Sequence, residues 1–134
     1  MKIYTTLKQS KELAKILPLD TADMCYKCLG EDPYDVCLRP YSEWKEVYKG
    51  LLVDKEVDVI PCWSLAALLS IIPQEIFDGE YIINITEGWD NKWILTYDHH
   101  ENRNHSYYTL SIGADNLVDA CVEMIIRLNE LNML

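Results

Sequence analysis

The stretch Tyr81-Ile82-Ile83-Asn84-Ile85-Thr86 decides the fold of this chain. One parity is apolar throughout and consists of Tyr81, Ile83 and Ile85. The other parity is mixed and consists of Ile82, Asn84 and Thr86. Alternation with a period of two, rich in β-branched and aromatic residues, is typical of a strand with one buried face. We therefore predict a strand from Tyr81 to Thr86, with its apolar parity in the core.

Two segments further along the chain repeat this pattern. Trp93–Asp98 places Trp93, Leu95 and Tyr97 on one face, and Tyr107–Ile112 places Tyr108, Leu110 and Ile112 on one face. The polar connections Gly88–Asn91 and His99–Asn104 have the composition of hairpin loops. The three strands are therefore predicted to form an antiparallel meander.

After Gly113 the apolar period changes from two to 3.6, which predicts an amphipathic helix over Asn116–Leu131. Its apolar stripe consists of Leu117, Cys121, Met124, Ile125, Leu128 and Leu131. The opposite face is charged and places Glu123 and Arg127 for an i,i+4 pair. Asp115 is the expected N-cap. Since an antiparallel sheet with one apolar face needs a cover, we expect this helix to pack on the meander.

Two further helices are indicated by their caps. Thr6 and Gln9 fit a capping box, and Pro18 ends that helix. Ser64 is a suitable N-cap for the apolar run before Pro73, with Trp63 and Leu68 placed as a hydrophobic staple. The second run has little polar face, so we expect it to be buried on most sides. The predicted fold is a single α+β domain over residues 1–134.

The segment from Leu19 to Ile60 has weaker patterns. Met24–Leu29 and Tyr34–Arg39 are compatible with a hairpin, and equally with one long excursion over the sheet. Ser42 would cap a short helix whose apolar positions are Trp44, Val47, Tyr48 and Leu51. The charged run Asp54–Asp58 is expected to be a loop.

Composition limits the class of protein. A hydrophobic content of 49% indicates a folded chain, and the net charge of −10 disfavours binding to nucleic acid or to an anionic membrane. No apolar run approaches the length of a membrane span, and the first residues lack a secretory h-region. A cytoplasmic protein without a cofactor is the expectation. Its five cysteines are an odd number, which favours reduced thiols.

The sharpest candidate for chemistry is the Cys25-Tyr-Lys-Cys28 motif with Cys37. A CxxC knuckle supplies two of the four ligands of a zinc site, and the remaining candidates are His99, His100 and His105. There is no second CxxC, and in a strand Cys25 and Cys28 would point to opposite faces. Structural thiols are therefore preferred over a metal or redox site. No phosphate-binding loop, zincin motif or nucleophile elbow is present, so we do not expect an enzyme.

The outer parity of the meander suggests recognition. It carries Ile82, Ile94 and Tyr107 among polar residues, and Trp89 lies in a predicted loop. An apolar, aromatic patch ringed by acidic residues is suited to binding a protein. The alternative is that residues 19–60 fold over this face and bury it.

The order of segments resembles a family of small bacterial proteins found in phages and other mobile elements. The resemblance is carried by Gln9–Ala14, Thr21–Met24, Ile60–Leu69 and Asn116–Met124. It implies a cytoplasmic α+β domain without indicating an activity.

Three hypotheses follow. The first is a non-catalytic protein-interaction module, such as an accessory factor of a mobile element that acts on a host protein. The second is an acidic decoy that mimics nucleic acid and occupies a DNA-binding protein, which the charge of −10 suggests. The third is a zinc-binding domain built on Cys25 and Cys28. A homodimer through an exposed strand edge remains open.

Overall fold

A computed structural model describes residues 2–29, 33–43, 57–99 and 110–134. These residues form helices and two antiparallel sheets, so the protein belongs to the α+β class. The chain divides into two compact units, one formed by Ile3–Ala67 and the other by Leu68–Leu134 with Lys2. The expectation of a single domain stays a prediction. Within the described ranges, no helix is long and apolar enough to cross a membrane.

The first unit contains a three-stranded sheet with the order β2-β1-β3. Strand β1 (Met24–Leu29) pairs antiparallel with β2 (Asp35–Cys37) and with β3 (Val57–Cys62). The hairpin reading of this segment is therefore the correct one of the two alternatives. Residues 30–32 of its connection lie outside the described residues.

Strand β3 corrects the prediction that Asp54–Asp58 is a loop, since Val57 and Asp58 belong to the strand and residues 54–56 are outside the described ranges. Pro61 within it pairs with Cys25. Proline cannot donate a ladder hydrogen bond and is tolerated on edge strands. Because β3 is an edge strand, Pro61 is compatible with the sheet.

Helix α1 (Leu7–Leu13) begins as predicted. Thr6 accepts a hydrogen bond from the Gln9 backbone N–H at 3.1 Å, and the Gln9 side chain accepts from the Thr6 N–H at 3.0 Å. The capping box is thus confirmed. The helix contacts β3, and Leu7 packs against a buried cluster of Met24, Tyr26 and Cys62.

Helix α2 (Leu65–Ile71) has its predicted N-cap, because the Ser64 hydroxyl accepts from the Ala67 N–H at 3.2 Å. Asp23 fixes Ser64 in turn, accepting from its N–H at 2.8 Å and from its hydroxyl. The expectation that this helix is buried on most sides is wrong. Leu68 is fully buried, whereas Ala66 and Ser70 are exposed, since the small residues do not extend the buried stripe around the helix.

Residues 41–43 are helical, so this helix begins before Ser42, the predicted N-cap. Trp44, Val47, Tyr48 and Leu51, which were expected to form its apolar stripe, lie outside the described residues.

The second unit contains a four-stranded antiparallel sheet with the order β4-β5-β6-β7. Its strands are β4 (Glu75–Ile76), β5 (Tyr81–Glu87), β6 (Trp93–His99) and β7 (Leu110–Ala114). The predicted strands correspond to the last three, and β4 is an addition. Across the sheet the apolar parities are aligned, because Tyr97 faces Ile83 and Leu110, and Leu95 faces Ile85 and Ile112.

Helix α3 (Leu117–Glu130) contacts β6 and β7 and buries Cys121, Met124, Ile125 and Leu128. The prediction of Asp115 as N-cap is wrong by one residue. Asn116 is extended and accepts from the Asp119 N–H at 2.9 Å, so it satisfies the free donor of the first turn. Arg127 pairs with Glu130 at 3.1 Å rather than with Glu123.

Candidate functional site

The connection between β5 and β6 is a short, well-defined hairpin loop. The Gly88 N–H donates to the Lys92 carbonyl at 2.6 Å, which closes a loop of Trp89, Asp90 and Asn91. Asn91 has a φ of 56°. A three-residue hairpin loop commonly ends with a residue in the left-handed region, and asparagine is tolerated there. The sequence therefore builds a compact tip at this end of the sheet.

Trp89 is presented at this tip. Its relative exposure is 104%, the highest among the large hydrophobic residues that the structure describes. The neighbouring Glu87, Asp90 and Lys92 are exposed as well. The indole is thus an isolated apolar group in a charged setting, held by a closed loop.

Ile94 lies at the base of the same loop. A Cβ placed on Gly88 would come within 3.0 Å of Ile94 Cδ1, and one placed on Gly113 would come within 3.9 Å of Ile94 Cγ1. Gly88 therefore leaves space that the Ile94 side chain occupies, whereas a Cβ at Gly113 would make only an ordinary contact. Ile94 is half-buried on the outer face of the sheet, close to the backbone that carries Trp89.

A row of polar residues crosses the middle of that outer face. Asn84, Thr96 and Ser111 face one another across β5, β6 and β7. The Thr96 and Ser111 hydroxyls hydrogen-bond at 2.9 Å, and the Asn84 amide donates to the Asp98 carboxylate at 2.6 Å. Because these groups pair with one another, the centre of the face is an ordered polar surface.

The polar row separates Ile82 from Ile94. Ile82 pairs with Asp98 and Glu75, whereas Ile94 pairs with Thr86 and Gly113. The two pairings are four residues apart in β6, about 13 Å along the strand. Ile82 is 42% exposed, so it forms a second, separate apolar point. Tyr107, the third predicted member of the patch, lies outside the described residues.

The cysteines of the CxxC motif lie on opposite faces of β1, as their odd spacing requires. Cys25 faces Cys37 across the β1–β2 ladder, and Cys28 faces Asp58 of β3. Among the residues described, no group of three or more His, Cys, Asp and Glu side chains is arranged to hold a metal ion. His99 lies beside Tyr81 on the inner face, and His100 and His105 are outside the described ranges.

A buried polar cluster in the first unit has no counterpart in the predictions. Thr5 and Ser10 are fully buried and their hydroxyls lie 2.7 Å apart, while Tyr26 donates to the Thr5 carbonyl at 2.7 Å. Cys62 Sγ lies 3.5 Å from the Thr5 hydroxyl. Burial raises the pKa of Cys62 despite these hydrogen bonds, so the thiol is kept protonated and unsuited to nucleophilic attack. The cluster satisfies buried polar groups, and a Thr-x-x-x-x-Ser spacing alone does not reveal it.

Comparison with known proteins finds no match to any family model, curated protein or solved structure.

Proposed function

We propose that this protein is a non-catalytic interaction module that binds a partner protein through the β5–β6 hairpin tip. The observation that carries the proposal is the fully exposed Trp89 indole on a closed loop. Tryptophan is enriched among the residues that dominate binding energy at protein interfaces. A short loop also limits the conformational entropy lost on binding, which favours affinity.

The scaffold of this site is the meander β5-β6-β7 with α3 on its inner face. The exposed Trp89 makes the hairpin tip the surface that we assign to recognition. Ile94 is half-buried at the base of the loop next to Gly88, and the hydrogen-bonded Asn84, Thr96 and Ser111 give the outer face a polar centre. The Trp89 indole would insert into an apolar pocket of the partner. Basic groups of the partner would lie near Glu87 and Asp90. The resemblance to mobile-element proteins favours a bacterial host protein as that partner.

The test is capture of partners from a bacterial lysate by the wild-type protein, a Trp89→Ala variant and a Leu38→Ala variant. Leu38 is 82% exposed in the other unit and serves as the matched control for removal of an exposed apolar side chain. Neither change affects a buried group, so both variants are expected to fold as judged by circular dichroism. The proposal requires a partner retained by Leu38→Ala and lost by Trp89→Ala.

The salt dependence of partner binding distinguishes this function from that of an acidic decoy. An apolar anchor keeps its partner at 0.5 M NaCl, whereas exposed charges are screened within about 10 Å at 0.1 M salt. A partner that survives Trp89→Ala and dissociates in salt would favour the decoy. A captured partner should also shift the tryptophan emission of the wild type to shorter wavelength, and this shift should be absent for Trp89→Ala.

A further inference from the structure

Two of the five cysteines are placed as a pair. Cys25 of β1 and Cys37 of β2 are Cα partners in an antiparallel ladder. Directly opposed residues of such a ladder point to the same face, with Cβ atoms about 4.5–5.5 Å apart. The Cys37 thiol is close enough to contribute to the raised pKa of Cys25. Disulfides need Cα atoms about 4.4–6.8 Å apart, which a directly opposed pair satisfies.

We propose that Cys25 and Cys37 are a modification site, at which a hydroperoxide converts the two free thiols into a cross-strand disulfide. The proposal is independent of the Trp89 site, since it concerns the other unit of the chain.

The two thiols differ in access. Cys25 is fully buried, whereas Cys37 is half-buried at the end of a three-residue edge strand. Short edge strands open locally at low cost, so the oxidant is expected to reach Cys37 first. Burial, together with the neighbouring Cys37 thiol, raises the pKa of Cys25 to about 12. Cys25 is therefore not expected to attack peroxide itself, and it reacts only with a sulfenic acid held next to it, where the departing hydroxyl can take the Cys25 proton during the attack.

The reaction has two steps. The Cys37 sulfur attacks one oxygen of hydrogen peroxide, the O–O bond breaks, and Cys37 becomes a sulfenic acid while one water is released. The Cys25 sulfur then attacks the Cys37 sulfur, the S–S bond forms, and the S–O bond breaks. The departing hydroxyl takes the Cys25 proton and leaves as a second water. Two thiols are oxidised and one peroxide is reduced.

The other cysteines are poorly placed to compete. Cys28 lies on the opposite face of β1, facing Asp58. Cys62 faces Met24 and contacts the Thr5 hydroxyl and carbonyl. Cys121 is buried in α3, in the other unit. Cys37 is thus the partner that the register gives to Cys25.

The test treats the folded protein with hydrogen peroxide, blocks remaining thiols and maps the peptides. Trypsin cleaves at Lys27 between Cys25 and Cys28, and glutamyl endopeptidase cleaves at Glu31 between Cys28 and Cys37, so the three cysteines fall on separate peptides. We expect residues 16–27 linked to residues 32–43, with the link removed by dithiothreitol. Linkage of Cys25 to another cysteine, or a Cys37 that stops at sulfinic acid without a link, would overturn the proposal.

Variants add a second readout. Cys28→Ser should retain the link and Cys37→Ser should lose it, and the wild-type map stands by itself if a variant fails to fold. A disulfide that closes this hairpin loop is expected to raise the unfolding temperature of oxidised wild type by about 5–10 °C. Cys37→Ser should show no rise. An unchanged unfolding temperature in oxidised wild type would show that the two sulfurs do not join in the native register.

Discussion

Tyr97 shows how a single buried hydroxyl links stability to pH. The residue is fully buried in β6, and its phenol donates to the Pro73 carbonyl. Burial raises the pKa of Tyr97 from 10.0 to about 12. The folded protein therefore holds the phenolic proton more tightly than the unfolded chain. This contribution to stability is complete below pH 10 and is lost as the pH rises towards 12.

We predict that Tyr97→Phe loses about 1 kcal/mol at pH 7, because the Pro73 carbonyl loses its donor. As the pH rises to 12 the wild type loses about 2–3 kcal/mol at this position, and the variant does not. The two proteins should therefore reach equal stability near pH 11. Urea unfolding followed by circular dichroism at pH 7 and through the alkaline range measures this. A constant difference between the two proteins would contradict the raised pKa.

Gly79 has a backbone conformation that disfavours any residue with a Cβ. It has a φ of 87° in the turn between β4 and β5, directly after Asp78 with a φ of 55°. The Glu80 N–H donates to the Phe77 carbonyl at 3.1 Å, which closes the turn around Asp78 and Gly79. Asp-Gly is a preferred sequence for a turn with two positive φ angles. An L-residue with a Cβ at position 79 is strained whatever space surrounds it.

Gly79→Ala is expected to lower the free energy of unfolding by about 1–2 kcal/mol. Gly113→Ala is the matched control, because an added Cβ there meets Ile94 Cγ1 only at 3.9 Å, an ordinary contact. We expect that control to stay within about 0.5 kcal/mol of the wild type. Denaturant unfolding midpoints, at an unchanged m-value, give the change in the free energy of unfolding for both variants. Equal effects of the two alanines would show that the turn does not require glycine.

At the scale of elements, the N-terminus of α3 depends on one side chain. Asn116 Oδ1 accepts from the Asp119 N–H, and its amide donates to the Asp119 carboxylate at 2.6 Å. Asn116→Ala should cost about 1 kcal/mol, since a backbone donor of the first turn loses its partner. Asp115→Ala removes the adjacent exposed carboxylate but no cap, and is expected to cost less than about 0.5 kcal/mol. Thermal unfolding of the two variants shows which residue is the N-cap. A larger loss of stability for Asp115→Ala would show that Asp115 is the N-cap.

Elements with a local signal could be predicted from the sequence. The capping box of Thr6 and Gln9, the Ser64 cap and the alternation of Tyr81–Thr86 all depend on residues close together in the chain. Strand β3 was missed because Asp58 and Pro61 interrupt its apolar pattern. It forms because β1 supplies a ladder along its length, which is a non-local contact.

The candidate sites show the same difference between local sequence signals and non-local contacts. Period-two alternation places Ile82 and Ile94 on one face, but only the strand register shows that a polar row separates them. Similarly, the spacing Cys25-x-x-Cys28 attracts attention in the sequence, whereas the structural pair is Cys25 with Cys37. Such pairs are set by the length of the connecting loop, which local patterns do not determine. Trp89 was accessible to prediction because its polar neighbours mark a hairpin loop.

For the whole molecule, charge is the property with the longest range. The chain carries 22 acidic and 12 basic residues, a net charge of −10. Described ion pairs such as Arg39 with Glu43, at 3.7 Å, lie at exposed positions where such pairs contribute little. A large net charge destabilises a compact state through self-repulsion. Repulsion among the acidic groups is therefore expected to exceed the attraction in these pairs.

We accordingly predict that the unfolding temperature rises as NaCl increases from about 10 mM to about 0.3 M. Over this range the Debye screening length falls from about 30 Å to less than about 10 Å. KCl should give the same rise, because the cause is screening and not a bound sodium ion. The rise should become smaller at pH 5, where protonated carboxylates reduce the net charge. A fall in the unfolding temperature with salt would show that attractive pairs dominate. In that case the excess carboxylates would be spaced widely enough to avoid one another, which would also weaken the case for an acidic stripe that mimics nucleic acid.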